Sequence, residues 1–401
     1  MVLRSVSLTD VRNHEYSDVL CARDVNVLSG RNGSGKTSVL EAISLCSLAK
    51  SFVPVMDHAL IRRGAERCIA SVDAVRDMDV PYRVSVAVQP GVRKRIATAH
   101  GSNLTPRDII GEIPVVALSP DHKSITLGGP AERRAFIDGV MAQSSKRYTE
   151  LLYEHRRLLK QRNAVLQSGM GAAMQTSLDV WTEQFVMVSA ELVERRQRWL
   201  ADVAPRVREA YQAVSGVHEV IDITYEPDVC TQGTLPRDAE LTTERVAEAY
   251  RVLAAQLRTR EMARESTMFG PQKDEIAFHI NGGLVRETAS QGQHKSLLVA
   301  LKLAECDVLH EHCSERPVVL LDDVFSELDR DRCARVLERI VAMGMQCFVT
   351  TTDGDDVVSM MDRLMHVRGG RLEMQLMRVA DGCVTIDAGV SAHHLPSAEA
   401  A

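Results

Sequence analysis

Aromatic side chains are scarce in this 401-residue chain: 7 Phe, 7 Tyr and 2 Trp make up 4% of it. So few flat rings exclude a base-stacking platform of the single-strand-binder kind and leave phosphate contact as the route to any nucleic acid. A basic excess is missing too. Lys and Arg number 48 against 54 Asp and Glu, a formal net charge of −6, so no uniformly basic coat exists, although Arg93-Lys94-Arg95 and Arg195-Arg196 leave room for a local patch. CxxC pairs are absent: nine cysteines stand singly at 21, 46, 68, 230, 306, 313, 333, 347 and 383. An odd count in segments that read as core is the usage of a reducing compartment. MVLRSVSLTD lacks an apolar leader, and no apolar run reaches about 18 residues, so neither export nor membrane spanning is expected and the cytoplasm is.

What is present, 45% apolar and 25% charged residues, suits a globular protein of one large or two ordinary domains. Val2, Leu3, Val6 and Leu8, then Val25, Val27 and Leu28, read as two strands. A glycine-rich turn follows, and Val39, Leu40, Ile43, Leu45 and Leu48 take helical spacing from Lys36. Residues 68–98 alternate as strands, with turns at Asp79-Val80-Pro81 and Gln89-Pro90-Gly91, and Val115 to Leu118 is a short apolar run. From about residue 125 helical spacing takes over, with three amphipathic segments expected over 131–167, 177–214 and 241–265, interrupted near 169–175 and by a strand at Val217 to Tyr225. Sheet texture returns from Phe269, with a helix over about 290–312, a buried strand from Pro317 to Leu321, and a helix and strand over 330–341 and 345–350. The expected organisation is a discontinuous α/β head over 1–124 and 266–388, a helical insertion over 125–265 and a loose tail over 389–401. No heptad run is long enough for a coiled-coil arm.

GRNGSGKT, Gly30 to Thr37, fits G-x-x-x-x-G-K-[ST] between a strand and a helix. Backbone N–H groups of Gly30, Arg31, Asn32, Gly33, Ser34, Gly35, Lys36, Thr37 and Ser38 are expected to surround ATP phosphates at the helix N-terminus, where side chains at 33 or 35 would obstruct close approach. Lys36 is expected on the β/γ-phosphates and Thr37 on Mg²⁺. The metal needs a second ligand, and VVLLDDVFSELD delivers one: a buried strand ends in Asp322 and Asp323 at the sheet edge where open α/β sheets bind ligands. Asp322 is the expected Mg²⁺ ligand, and Asp323 stands where ABC-type ATPases carry the general base.

A third motif, ETASQGQHKSLLVALKLAE, places Ser290, Gly292 and Gln293 at a helix start. It resembles the ABC signature L-S-G-G-Q, departing at Ala289 and Gln291, and lies about 30 residues before the aspartate pair in the same chain as the phosphate loop. The ABC resemblance implies a head, a mixed sheet with flanking helices, whose signature binds the γ-phosphate held by a second subunit. Ser326-Glu327-Leu328-Asp329 resembles the D-loop. In Thr350-Thr351-Thr352-Asp353, Thr352 stands for the usual switch histidine. Ser119-Pro120-Asp121 offers no Q-loop glutamine.

Six stretches, LRSVSLTDVRN, NVLSGRNGSGKTSVLEAISLCSLAKSF, VVALSPDHKSITLGGPAERRAFID, FGPQKDEIAFHINGG, SQGQHKSLLVALKLAE and VVLLDDVFSELD, resemble in order the RecF family, bacterial repair ATPases of the SMC-like branch. That resemblance implies an ATP-dependent homodimer on duplex DNA near single-strand gaps and work beside RecR and RecO to help RecA assemble, while Thr352, a weaker γ-phosphate partner than histidine, makes slow ATP hydrolysis the expectation. It also brings Arg12 and Asn13 to the nucleotide and implies a nucleoid-associated protein. Val11 and Val53 depart from the family pattern, replacing an aromatic and a basic residue. Arg133, Arg134, Arg156, Arg157, Lys160 and Arg162 are the candidate DNA contacts. Two other readings compete: a transporter's nucleotide-binding subunit, which the long gap from Thr37 to Ser290 disfavours, and a non-hydrolysing ATP-gated scaffold. Cys306, His310 and Cys313, at i, i+4 and i+7, could be read as a metal site, but Cys is commonly just buried.

Overall fold

Alternating burial makes the first strand. In β1 (Val2–Val11), Leu3, Val6, Leu8 and Val11 are buried, and an irregularity in the pairing between Leu3 and Ser5 lets Leu3 and Val6 face the same side. The computed structural model describes residues 1–99, 101–168, 172–313, 315–324, 329–352 and 372–386. They fall into two units, Met1–Lys123 with Ala213–Gly216 and Leu298–Ala401, and Ser124–Gln212 with Val217–Leu297.

In the first unit the strands after β1 are β2 (His14–Leu20), β3 (Val25–Ser29), β4 (Cys68–Val75), β5 (Pro81–Val88), β6 (Arg95–Thr98), β7 (Gly101–Leu104) and β8 (Val115–Leu118). One antiparallel sheet has the order β2-β1-β4-β5-β6-β7. The second unit contributes β9 (Ile221–Glu226), β10 (Glu275–Ile280) and β11 (Gly283–Leu284), and the first resumes with β12 (Val318–Leu321), β13 (Cys347–Thr351), β14 (Met374–Ala380) and β15 (Cys383–Ile386). These join β3 and β8 in a sheet of order β15-β14-β3-β13-β12-β8, parallel except for β15. Its central strands are buried along their whole length, as runs such as VVLL and CFVTT require of a sheet covered on both faces.

The helix Lys36–Leu48 is buried from Ser38 to Ser47, because its apolar side chains share one core with residues of both sheets, among them Leu8, Val72, Val86, Leu320 and Phe348. This pins the end of the phosphate loop between two rigid layers. No helix among the described residues is long and apolar enough to cross a membrane, and the longest, Ala172–Ser215, has 44 residues.

The second unit is mainly helical around a small sheet, β11-β10-β9. The segment expected as one helix over 131–167 is two, Pro130–Ser144 and Lys146–Gln167, because Ser145 takes an extended conformation and its side chain caps Tyr148 N. The return to the head, expected at 266, falls between Leu297 and Leu298 instead, since β10 pairs with β9 of the insertion. Residues 169–171, heading the expected interruption, lie outside the described residues, as do Ser326, Glu327, Leu328, Asp353 and the tail.

Three of the basic residues expected to meet DNA are structural. Arg162 is 1% exposed, with a two-pronged bond to Glu261 (3.0 and 2.6 Å), further bonds to Thr182 and Thr267, and its guanidinium 4.9 Å from the Phe269 ring. Arg133 is buried on Glu275 (2.8 Å), and Arg134 donates to the Asp274 carbonyl. Arg196 is buried as well, between Asp138 and Asp274 (2.9 Å each), so Arg195-Arg196 is no surface patch. Breaking such a pair strands a buried charge. Arg162→Ala is expected to cost about 3–5 kcal/mol in denaturant unfolding of the helical unit, while Arg162→Met with Glu261→Leu stays near neutral.

Candidate functional site

The phosphate loop takes its shape from three glycines with positive φ, Gly30 (155°), Gly33 (79°) and Gly35 (112°). A Cβ at Gly30 would stand 2.2 Å from the Val379 carbonyl, and one at Gly35 would stand 2.4 Å from His14 Nε2. Glycine is required there by backbone and neighbours alike. Lys36 Nζ donates to the carbonyls of Gly30 (2.7 Å) and Arg31 (2.9 Å), which holds its ammonium inside the turn. Burial lowers the Lys36 pKa, and Asp323 and Asp322 oppose that shift. Ser34 Oγ is buried and finds no hydrogen-bond partner among the described residues, an orphaned donor in the middle of the loop.

Opposite the loop stand the aspartates that end β12. Thr37 Oγ1 donates to Asp322 (2.9 Å), Thr350 Oγ1 donates to the same carboxylate (2.8 Å), and Thr350 also accepts the Asp323 N–H (2.9 Å). Burial raises the Asp322 pKa, and the two threonines counter it. Asp323 adopts a left-handed conformation, φ 51°, which the Thr350 bond helps to hold. Thr350 is the residue that motif reading missed. The threonine expected in the switch role, Thr352, is exposed, and it is Thr350, two residues earlier, that binds the Asp322 carboxylate and the Asp323 N–H. β8 ends beside Asp322, whose N–H bonds the Leu118 carbonyl (2.8 Å).

These groups line a cavity of about 550 Å³ with Arg12, Asn13, Gly33, Glu41 and Ile61. Thr37 and Asp322 bring a hydroxyl and a carboxylate together, an all-oxygen donor pair that fits Mg²⁺, an ion usually held by one or two protein oxygens and by substrate phosphates. Among the described residues no group of three or more His, Cys, Asp or Glu is placed to hold a metal, and burial pushes the Cys306 thiol upward.

A second layer fixes the loop from behind. Asn13 donates to the Ser34 carbonyl (2.8 Å), and His14 bridges the Gly35 carbonyl (3.0 Å) and Ser17 Oγ (2.8 Å). Gly382, in the turn between β14 and β15, donates to the Ser34 carbonyl (3.1 Å) and accepts from Ser17 (3.1 Å). Arg12 clasps the buried Glu41 through two nitrogens (2.9 and 2.7 Å). Thus Arg12 and Asn13 line the cavity with their side chains engaged by protein partners. β2 and the β14–β15 hairpin carry no motif, and sequence reading did not find them.

The signature belongs to the second unit. Ser290 and Gln293 form a reciprocal cap at the start of the helix Gln291–His312: Ser290 N–H donates to Gln293 Oε1 (2.7 Å) and Gln293 N–H to Ser290 Oγ (3.2 Å). Gln293 Nε2 donates to Glu219 (2.7 Å). Ser290 and Gly292 are exposed, and a Cβ on Gly292 would meet nothing closer than Ser290 Oγ at 3.9 Å.

Residues 2–374 match the family described as RecF/RecN/SMC N terminal domain. The DNA replication and repair protein RecF of Salinibacter ruber is 36% identical over 358 residues, 88% of this chain and 85% of that protein. The protein of that name from Chloroherpeton thalassium is 34% identical over 377 residues, 92% and 99% of the two chains. A solved structure of the recombination mediator protein RecF-ATP matches with a TM-score of 0.83 at 24% identity over 96% of this chain and 98% of that one. An Smc head bound to the C-terminal winged-helix domain of ScpA matches at 0.54 and 14%, over 96% and 97%. These two likenesses show the fold, an ABC-type ATPase head, and the sequence relatives show the lineage: the chain belongs to the RecF family.

Proposed function

We propose that this chain binds ATP and Mg²⁺ in the phosphate-loop cavity, dimerises through the bound nucleotide on duplex DNA near single-strand gaps, and hydrolyses ATP slowly in recombinational repair beside RecR, RecO and RecA. The observation that carries this reading is the Thr37–Asp322–Thr350 cluster facing a glycine loop. Family membership displaces the transporter alternative.

Backbone N–H groups of 33–38 and the Lys36 ammonium would neutralise the β- and γ-phosphates. Thr37 and Asp322 would hold Mg²⁺, which supplies further charge neutralisation at the phosphates. Asp323 would accept a proton from the attacking water as the bond from the γ-phosphorus to the bridging oxygen breaks, its electron pair leaving on ADP. Thr350 would orient Asp323 by accepting its N–H. Lys36→Ala is expected to weaken ATP binding by about 10- to 100-fold, whereas Asp323→Asn keeps ATP bound and slows turnover by about 100-fold or more. Nucleotide titration with single-turnover hydrolysis checks both. Normal hydrolysis by Asp323→Asn removes the base assignment.

Gly292 is compatible with the dimer: among the described residues a Cβ there would meet only Ser290 Oγ, at 3.9 Å, which leaves the helix start open to an incoming group such as the γ-phosphate held by a second subunit.

For DNA, the exposed candidates are Arg156, Arg157 and Lys160 on the helix Lys146–Gln167, with Arg157 paired to Glu154 (3.3 Å) and lying near the Trp181 ring. Their triple replacement by Ala is expected to lower the log–log salt slope of duplex binding by about 0.9 for each phosphate that is no longer neutralised, equally for all sequences. ATP binding is spared. Parent-like binding across a salt titration would assign these side chains to a solvated face.

A further inference from the structure

Three cations line the nucleotide cavity: Arg12, Lys36 and Arg63. Two are already engaged, Lys36 by the carbonyls of Gly30 and Arg31 and Arg12 by Glu41. Arg62, next to Arg63, is tied to Asp10 (2.6 Å). Arg63 is exposed and makes no hydrogen bond or ion pair among the described residues.

Its surroundings say what it can hold. The cavity wall beside it is apolar, made by Val53, Ala59 and Ile61. That wall is held in place: the Ala59 carbonyl accepts from Arg12, Ile61 bridges to Val11, and Arg12 is anchored on Glu41. Glu41 lies four residues beyond Thr37, about one helical turn or ~6 Å along the axis. The cavity lining therefore combines polar groups suited to phosphates with apolar side chains and one guanidinium that has no partner among the described residues. An apolar wall offers a phosphate nothing, but it suits a flat heterocycle, and a guanidinium above the other face of that ring gains stacking and cation–π attraction. The long Arg63 side chain can lie along the same wall with its head group over the ring.

We propose that Arg63 holds the base of the nucleotide, stacking its guanidinium on the purine and pressing it against Val53, Ala59 and Ile61. This rests on the reading of the cavity as the ATP site. Because the base is common to ATP and ADP, the contact contributes equally to both and is independent of the γ-phosphate.

The test is equilibrium binding of ATP, ADP and inorganic tripolyphosphate to the full chain and its variants. Arg63→Ala is expected to raise Kd for ATP and for ADP by the same factor, ~3- to 30-fold, with tripolyphosphate binding unchanged. Arg63→Tyr, which keeps a flat ring without charge, recovers part of the loss, and Arg63→Lys, which keeps charge without a plane, recovers less. An unchanged ATP affinity in Arg63→Ala overturns the proposal. So does a loss confined to ATP, or an equal loss for tripolyphosphate, either of which makes Arg63 a phosphate ligand. A parent chain that binds no ATP, or binds it equally well as Lys36→Ala, overturns the reading of the cavity itself, so the two failures are distinct.

Discussion

One hydrogen bond fixes the geometry of this protein's chemistry: Thr37 Oγ1 to Asp322, joining residues 285 positions apart in the chain. It forms only if β3 and β12 lie in one sheet with β13 between them, in the register that places Leu321 beside Val349 and Val349 beside Val27. A slip by one residue would turn Asp322 to the other face. The all-apolar runs of the central strands make that register costly to change, because every strand residue is buried. A buried carboxylate is unfavourable alone. Two threonine hydroxyls and the nearby Lys36 charge make it tolerable.

The strain needed to shape the site is spread over its supports. Asp323 in the left-handed region costs about 1–2 kcal/mol, offset in part by the bond from its N–H to Thr350, worth about 1 kcal/mol. Gly30 is pressed from behind by Val379 of β14, and Gly35 by Asn13 and His14, so these two turns of the loop cannot relax without moving a sheet edge. Charge is divided in the same spirit. Arg133, Arg162 and Arg196 hold the helical unit together from inside, and Arg156, Arg157 and Lys160 remain on its surface.

The loop, the aspartate pair and the helix start at Ser290 were legible as places in the fold because each is a short motif set by neighbours in sequence. Thr350 was not, since its role comes from β13 lying beside β12, a pairing no local pattern states. β2 and the β14–β15 hairpin were missed for the same reason: they reach the loop through contacts distant in sequence, the His14 side chain on the Gly35 carbonyl and the Gly382 N–H on the Ser34 carbonyl. The buried arginines could have been found. Arg162 stands four residues after Leu158 and four before Leu166, on the apolar stripe of its helix, and Arg196 stands four after Leu192. A basic residue on the inward stripe points to a buried partner before it points to DNA.

The central claim is that ATP joins two copies of this chain through the phosphate loop of one and the signature of the other. Sedimentation of the parent chain and of Ser290→Arg, each with ATP and with ADP, tests it most directly. Dimers of the parent with ATP only, and monomers of Ser290→Arg that still bind ATP with parental affinity, are the predicted result. ATP-induced dimers of Ser290→Arg at the parental level would contradict it.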